Sequence, residues 1–189
     1  MNTMEGFEHL VNASMPWYEV LKFLLSLMMT LKISKHGSVL KMAFIDIKRA
    51  HWRSPVTRLL FIALPPEDYE EGMCGQQLQS MYGNRDAAAN WERKYTAVLV
   101  TAGYVPGKGC VVVFSHPEWD AKLEVHGDDF ILLSDQNGID KTIELLEAHF
   151  DIKVRAVIGP DPQDDVEIRI LNRYVRYRRD VRPRRVELE

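Results

Sequence analysis

The chain has 189 residues, 46% of them hydrophobic and 27% charged, a profile that excludes global disorder and suits one globular domain with a sizeable core. Its longest apolar run, Val20–Leu31, is interrupted by Lys22 and is too short for a membrane span. Glu5 and Glu8 stand where a secretory signal would be basic, so an intracellular protein without a membrane partner is expected. Cys74 and Cys110 form no zinc-like pattern with histidine and no disulfide framework. The net charge of −3 hides an asymmetry: between Arg169 and Arg185 eight arginines face only Asp180, a local +7 that leaves −10 on the remainder. Such a basic segment suits phosphate contacts or a solvated terminus equally.

The spacing predicts a helix opening near Pro16 and closing before Ser34 to Ser38. A largely buried strand follows over Val39–Ile47, with Asp46 near its end, and a second over Thr57–Pro66, stopped by two prolines. Ala87, Ala88, Trp91, Tyr95, Val98, Leu99 and Ala102 recur at helical steps, with Asp86 as cap, Gly103 as stop, and Trp91 in the core. Three strands over Cys110–Ser115, Ala121–Gly127 and Phe130–Ser134 come next, the last two forming a hairpin around Gly127, Asp128 and Asp129. A helix over Gly138–Phe150, a strand over Asp151–Gly159 and one alternating strand over Val166–Tyr177 close the chain. The expected class is α+β, an antiparallel sheet with helices packed on one face.

Two adjacent aspartates at a hairpin tip repel each other, and two acidic residues in a turn need no function. Asp46, 82 residues before Asp128 in an apolar strand, is a further carboxylate requiring a partner, a metal or an exposed strand end. If the strands are neighbours, three carboxylates converge. Such a cluster suits Mg²⁺ ions that stabilise both the attacking and leaving oxygens of an in-line phosphoryl displacement.

Six segments in one order carry a resemblance. "KMAFIDIKRAH" (41–51) resembles the first palm motif of copia-type retrotransposon reverse transcriptases, and the stretch 64–95 resembles their segment from a Pro-Pro loop through Tyr-Gly to a helix with Ala and Trp. "TAGYVPGKGCVVVFSH" (101–116) is similar to the stretch that follows, and "EVHGDDFILLS" (124–134) occupies the place of their Tyr-Val-Asp-Asp hairpin. "FDIKVRAVIG" (150–159) and "EIRILNRYV" (167–175) look like the segments that close the palm. The resemblance implies an RNA-directed DNA polymerase palm with partial fingers over residues 1–177, lacking a complete thumb, and a basic, flexible tail over 178–189. It implies that Asp46, Asp128 and Asp129 are catalytic and hold Mg²⁺, or Mn²⁺, with Asp46 and Asp128 bridging both ions and Asp129 supporting. It further implies a dNTP near His51, Tyr82 and Gly83, and an RNA or DNA template-primer. Arg176, Arg178, Arg179 and Arg182 are expected to contact nucleic acid, and other domains or chains would supply thumb and ribonuclease H.

The chain departs from that family at three places. His51 stands where an aromatic residue excludes the ribose 2′-hydroxyl, His126 and Gly127 replace the Tyr-Val before the aspartates, and the acidic body is a poor cradle for nucleic acid by itself. An inactive transposon remnant that binds nucleic acid through its basic tail is therefore the alternative expectation. A metal-dependent phosphodiesterase is the third, although no base for activating water stands out.

Overall fold

Seven residues, Lys41–Ile47, form strand β1, buried except at Asp46, which is half-buried. A strand covered on both faces must be apolar nearly throughout, and β1 is central: the sheet order is β4-β5-β6-β7-β1-β8. The partners are β4 (Val105–Pro106), β5 (Val113–His116), β6 (Ala121–His126), β7 (Asp129–Ser134) and β8 (Ile152–Ile158). All five pairings are antiparallel. The computed structural model describes residues 18–179 and 185–188. These fall into two compact units, 49–98 and the remainder.

In the larger unit, helix α1 (Tyr18–Leu31) places Leu21, Leu24, Leu25 and Met28 against Met42 and Phe44 of β1 and Ile131 and Leu133 of β7. These alternate strand positions share one face of the sheet. Helix α3 (Gln136–Glu147) meets the other face: its Gly138 lies against Ser134 and the Trp119 carbonyl, and Thr142 bonds Tyr104 at 2.7 Å. The mixed α+β class and antiparallel sheet are as expected, but α1 and α3 cover opposite faces rather than one, because β1 and β7 are apolar on both sides. Asp135, whose side chain accepts from the Gly138 N–H at 3.0 Å, starts α3 two residues earlier than the apolar spacing suggests.

The alternating run Val166–Tyr177 is a hairpin, not one strand. Strands β9 (Glu167–Ile170) and β10 (Arg173–Arg178) turn at Leu171 and Asn172, which have φ of 47° and 64°. Two successive left-handed residues make a primed hairpin turn, which Asn tolerates well. Beyond it, β11 (Arg185–Leu188) pairs with β10, setting Arg178 opposite Arg185 and Val175 opposite Leu188. Part of the segment expected as a flexible tail is thus a strand, ordered by Val186 and Leu188 packing on the α1-side core.

In the smaller unit, helix α2 (Ala87–Thr101, in this unit as far as Val98) buries Ala87, Trp91, Tyr95 and Val98, with Trp91 2% exposed as its core role requires. The apolar run Thr57–Pro66 pairs only at β2 (Phe61–Ile62), with β3 (Gly75–Gln76). Leu59 and Phe61 are exposed, and the expected strand shrinks to two residues. A two-strand ladder has no second sheet neighbour to bury its side chains.

Candidate carboxylate site

The β1–β7 register sets Asp46 directly opposite Asp129. Directly opposite residues on neighbouring strands project to the same face, so the aspartate of the apolar strand and one from the hairpin meet at one end of the sheet. Between β6 and β7 the chain turns through Gly127 and Asp128, with His126 facing Asp129 across the turn. Gly127 has φ +65° and Asp128 stays out of the left-handed region, the φ pattern of a two-residue turn with glycine first. The tip is tied to β1 by the Ile47 N–H, which donates to the Asp128 carbonyl at 2.9 Å. One further rung, from the Lys48 N–H to the Asp151 carbonyl at 2.8 Å, fixes the end of β1 on its other side.

The electrostatics follow from this placement. Burial raises the pKa of Asp129 above the ordinary carboxylate range, and the nearby charges of Asp128 and Asp46 push the same way. Arg155 opposes them: its Nη1 donates to Asp129 Oδ1 at 3.2 Å. Asp128 is exposed at the tip. Among the described residues no group of three or more His, Cys, Asp or Glu side chains is arranged to hold a metal ion. Mg²⁺ needs fewer protein donors, since it is commonly bound through one or two carboxylates completed by water and substrate phosphates. Carboxylate oxygens are hard donors of that kind, and Arg155 already engages Asp129.

Glu124, two residues before His126 on β6, went unremarked in the sequence. It lies opposite Ile131 and hence on the Asp46 face, 1% exposed, and its Oε2 has no hydrogen-bond partner. Burial pushes its pKa up to about 7. The strand's alternation could have flagged it, because the register that faces Asp129 inward also faces Glu124 inward. Arg155 was equally unmarked, and no sequence signal announces it.

The residues expected near a nucleotide lie in the smaller unit. His51 is in a short 3₁₀ turn, Ala50–Arg53, and its ring meets that of Tyr82 at 4.4 Å between centroids, tilted by 39°. Tyr82 and Gly83 form the centre of a turn closed by the Asn84 N–H donating to the Met81 carbonyl at 3.1 Å. Gly83 has φ +93°, as the third residue of a type II turn requires. The Asn84 side chain reinforces the turn by accepting from the Met81 N–H at 2.7 Å. The structure therefore brings His51, Tyr82 and Gly83 together.

The basic residues are engaged within the larger unit. Arg176 pairs with Glu167, and Arg178 donates to Glu187 at 3.2 Å. Arg179 bonds the carbonyls of Gly159 and Asp164, at 2.9 Å and 2.7 Å from Nη2. These three arginines, with Val166, Glu167 and Tyr177, line a shallow cavity of about 320 Å³. Arg182 lies outside the described residues. Among the described residues no helix is long and apolar enough to cross a membrane. No family model matches the chain, and no curated protein matches it in sequence.

Proposed function

We propose that the chain is a palm-like domain of an RNA-directed DNA polymerase of the copia retrotransposon type. The reaction is attack of a primer 3′-hydroxyl on the α-phosphate of a dNTP, releasing pyrophosphate. The observation that carries this reading is the β1–β7 register, which sets Asp46 against Asp129 at the hairpin that also presents Asp128. Two carboxyl-bearing strands meeting at a glycine-led turn are what the resemblance called for, and the donor chemistry fits a hard divalent cation. Bound Mg²⁺ would supply charge neutralisation at the attacking and leaving oxygens.

The chain's own residues have distinct parts in this reading. Asp46 at the end of β1 and Asp128 in the turn would hold the cation, and the turn at Gly127 keeps Asp128 exposed to solvent, where substrate phosphates could reach it. Asp129 supports them from inside the sheet. His51 and Tyr82 form an aromatic pair suited to one edge of a nucleotide's sugar or base. Template and primer contacts draw on basic groups, for which Arg176, Arg178 and Arg179 are candidates only if substrate phosphate displaces their carboxylate and carbonyl partners.

Primer extension on short RNA and DNA templates, with Mg²⁺ and with Mn²⁺, tests the reading. The chain should extend the primer, and an Asp128→Ala, Asp129→Ala double variant should not. Absence of extension by the parent under every condition, with template-primer still bound independently of Mg²⁺, would replace the polymerase reading with that of a binding module.

A further inference from the structure

We infer that Arg155 is a positioning residue of the carboxylate cluster, holding Asp129 as a neutralised support and leaving Asp46 and Asp128 as the principal cation ligands. The inference rests on the reading of that cluster as a metal site. Its starting point is an irregularity in the sheet. Along β8, Ala156 pairs with Phe44 and Val154 with Ile45, so Arg155 is an extra residue with no partner on β1. A bulge of this kind re-aims a side chain that regular pairing would point elsewhere, and bulges recur beside active sites.

The re-aimed side chain crosses β1. β8 and β7 flank β1 on opposite sides, yet Arg155 Nη1 reaches Asp129 Oδ1 on β7 at 3.2 Å. Its second arm is anchored: Nη2 donates to the Arg169 carbonyl at 2.7 Å. That carbonyl belongs to β9, where Arg169 lies opposite Tyr174 of β10. The planar guanidinium is therefore held at both ends, and its geometry dictates which oxygen of Asp129 is engaged. Arg155 is bonded to one of the three carboxylates at this end of the sheet, and the exposed Lys153 lies opposite Asp46 on β8, so the charge left for a divalent ion is asymmetric. Asp129 presents its oxygen to the arginine from within the sheet, whereas Asp46 and Asp128 are not bonded to it.

Arg155 accordingly competes with a metal for Asp129. Replacing it by a neutral residue of similar length should free Asp129 and raise the local negative potential, so a divalent ion binds more tightly. For a partly exposed pair, worth up to about 1 kcal/mol, the effect is about two- to fivefold.

The test is Mn²⁺ titration of the full chain followed by electron paramagnetic resonance of the unbound ion, with folding checked by circular dichroism. Arg155→Met should bind Mn²⁺ about two- to fivefold more tightly than the parent. In an Asp129→Asn background the same substitution should change affinity less than twofold, because the effect runs through Asp129. Arg155→Lys keeps the charge but lacks the two-armed anchor and should fall between the two; it carries the test if the methionine variant does not fold. Equal affinity of parent and Arg155 variants, weaker binding in them, or an undiminished effect in the Asp129→Asn background would overturn the assignment while leaving the metal reading intact. Failure of parent and variants alike to bind Mn²⁺ would overturn both.

Discussion

Asp46 and Asp129 face each other across neighbouring antiparallel strands, one just after the apolar stretch Met42 to Ile45 and one from the root of a two-residue turn. Like charges in directly opposed positions destabilise a sheet. The opposition therefore costs stability unless a cation offsets it, and Arg155 does so for Asp129.

That opposition predicts a trade of function for stability. Asp46→Asn removes one of the charges that disfavour ionisation of Asp129 and should stabilise the chain by about 1 kcal/mol in chelator-treated buffer, a rise of a few degrees in Tm. The same variant should lose both primer extension and any stabilisation by millimolar Mg²⁺, since only a ligand that binds the folded state raises Tm. Thermal melts with and without Mg²⁺ measure both effects.

Glu124 predicts a pH dependence of definite sign. Its folded pKa, raised from 4.5 to about 7 by burial, means the folded state holds a proton that the unfolded chain has released. Stability is therefore fully present below about pH 4.5, falls as pH rises toward 7, and is flat above, a loss of about 3 kcal/mol. Glu124→Gln cannot ionise and should abolish that part of the slope, so urea unfolding at pH 5 and pH 8 should differ less in the variant than in the parent. Asp129, also raised, contributes a slope of the same sign in both proteins and drops out of the comparison.

Gly138 predicts the reverse of the usual glycine rule. In a helix, Gly→Ala ordinarily gains up to about 1 kcal/mol. Here a Cβ would lie 2.0 Å from Ser134 Oγ and 2.7 Å from the Trp119 carbonyl. The serine hydroxyl can rotate away, but the carbonyl belongs to the backbone and cannot. Gly138→Ala should therefore cost about 1 to 3 kcal/mol, seen as a lower denaturant midpoint with unchanged m.

Much of this arrangement is legible in the sequence because it rests on local pattern. The apolar run of β1, the helical spacing of α2 and the Gly-Asp turn each announce an element from its own residues. The features that decide the site are not local. Arg155 acts through a bulge, and an extra residue in a ladder is invisible until both strands and their register are known. Glu124 reads as the polar member of an alternating strand, yet it is buried because the sheet is covered on both faces. The hairpin at Leu171 and Asn172 escaped because the alternation of apolar and polar residues continues across the turn. The run Leu59–Ile62 misled in the other direction, since apolar residues form a ladder only where partners exist to bury them.

His51 gives the prediction that bears most directly on substrate choice. Where the polymerases proposed as its relatives present an aromatic residue that excludes the ribose 2′-hydroxyl, this chain has a histidine ring 4.4 Å from that of Tyr82. The imidazole is smaller than a phenyl ring and carries polar nitrogens that can bond a hydroxyl instead of rejecting it. Ribonucleotides should therefore compete better than in enzymes with Phe or Tyr at this place. Restoring the bulk with His51→Phe should raise the preference for dNTP over rNTP in single-nucleotide extension by about tenfold, expressed as the ratio of kcat/KM values. The ring contact with Tyr82 should survive, because Phe preserves the aromatic pair, so stability should change by less than about 1 kcal/mol. A ratio that does not move would mean that His51 packs on Tyr82 without touching the sugar.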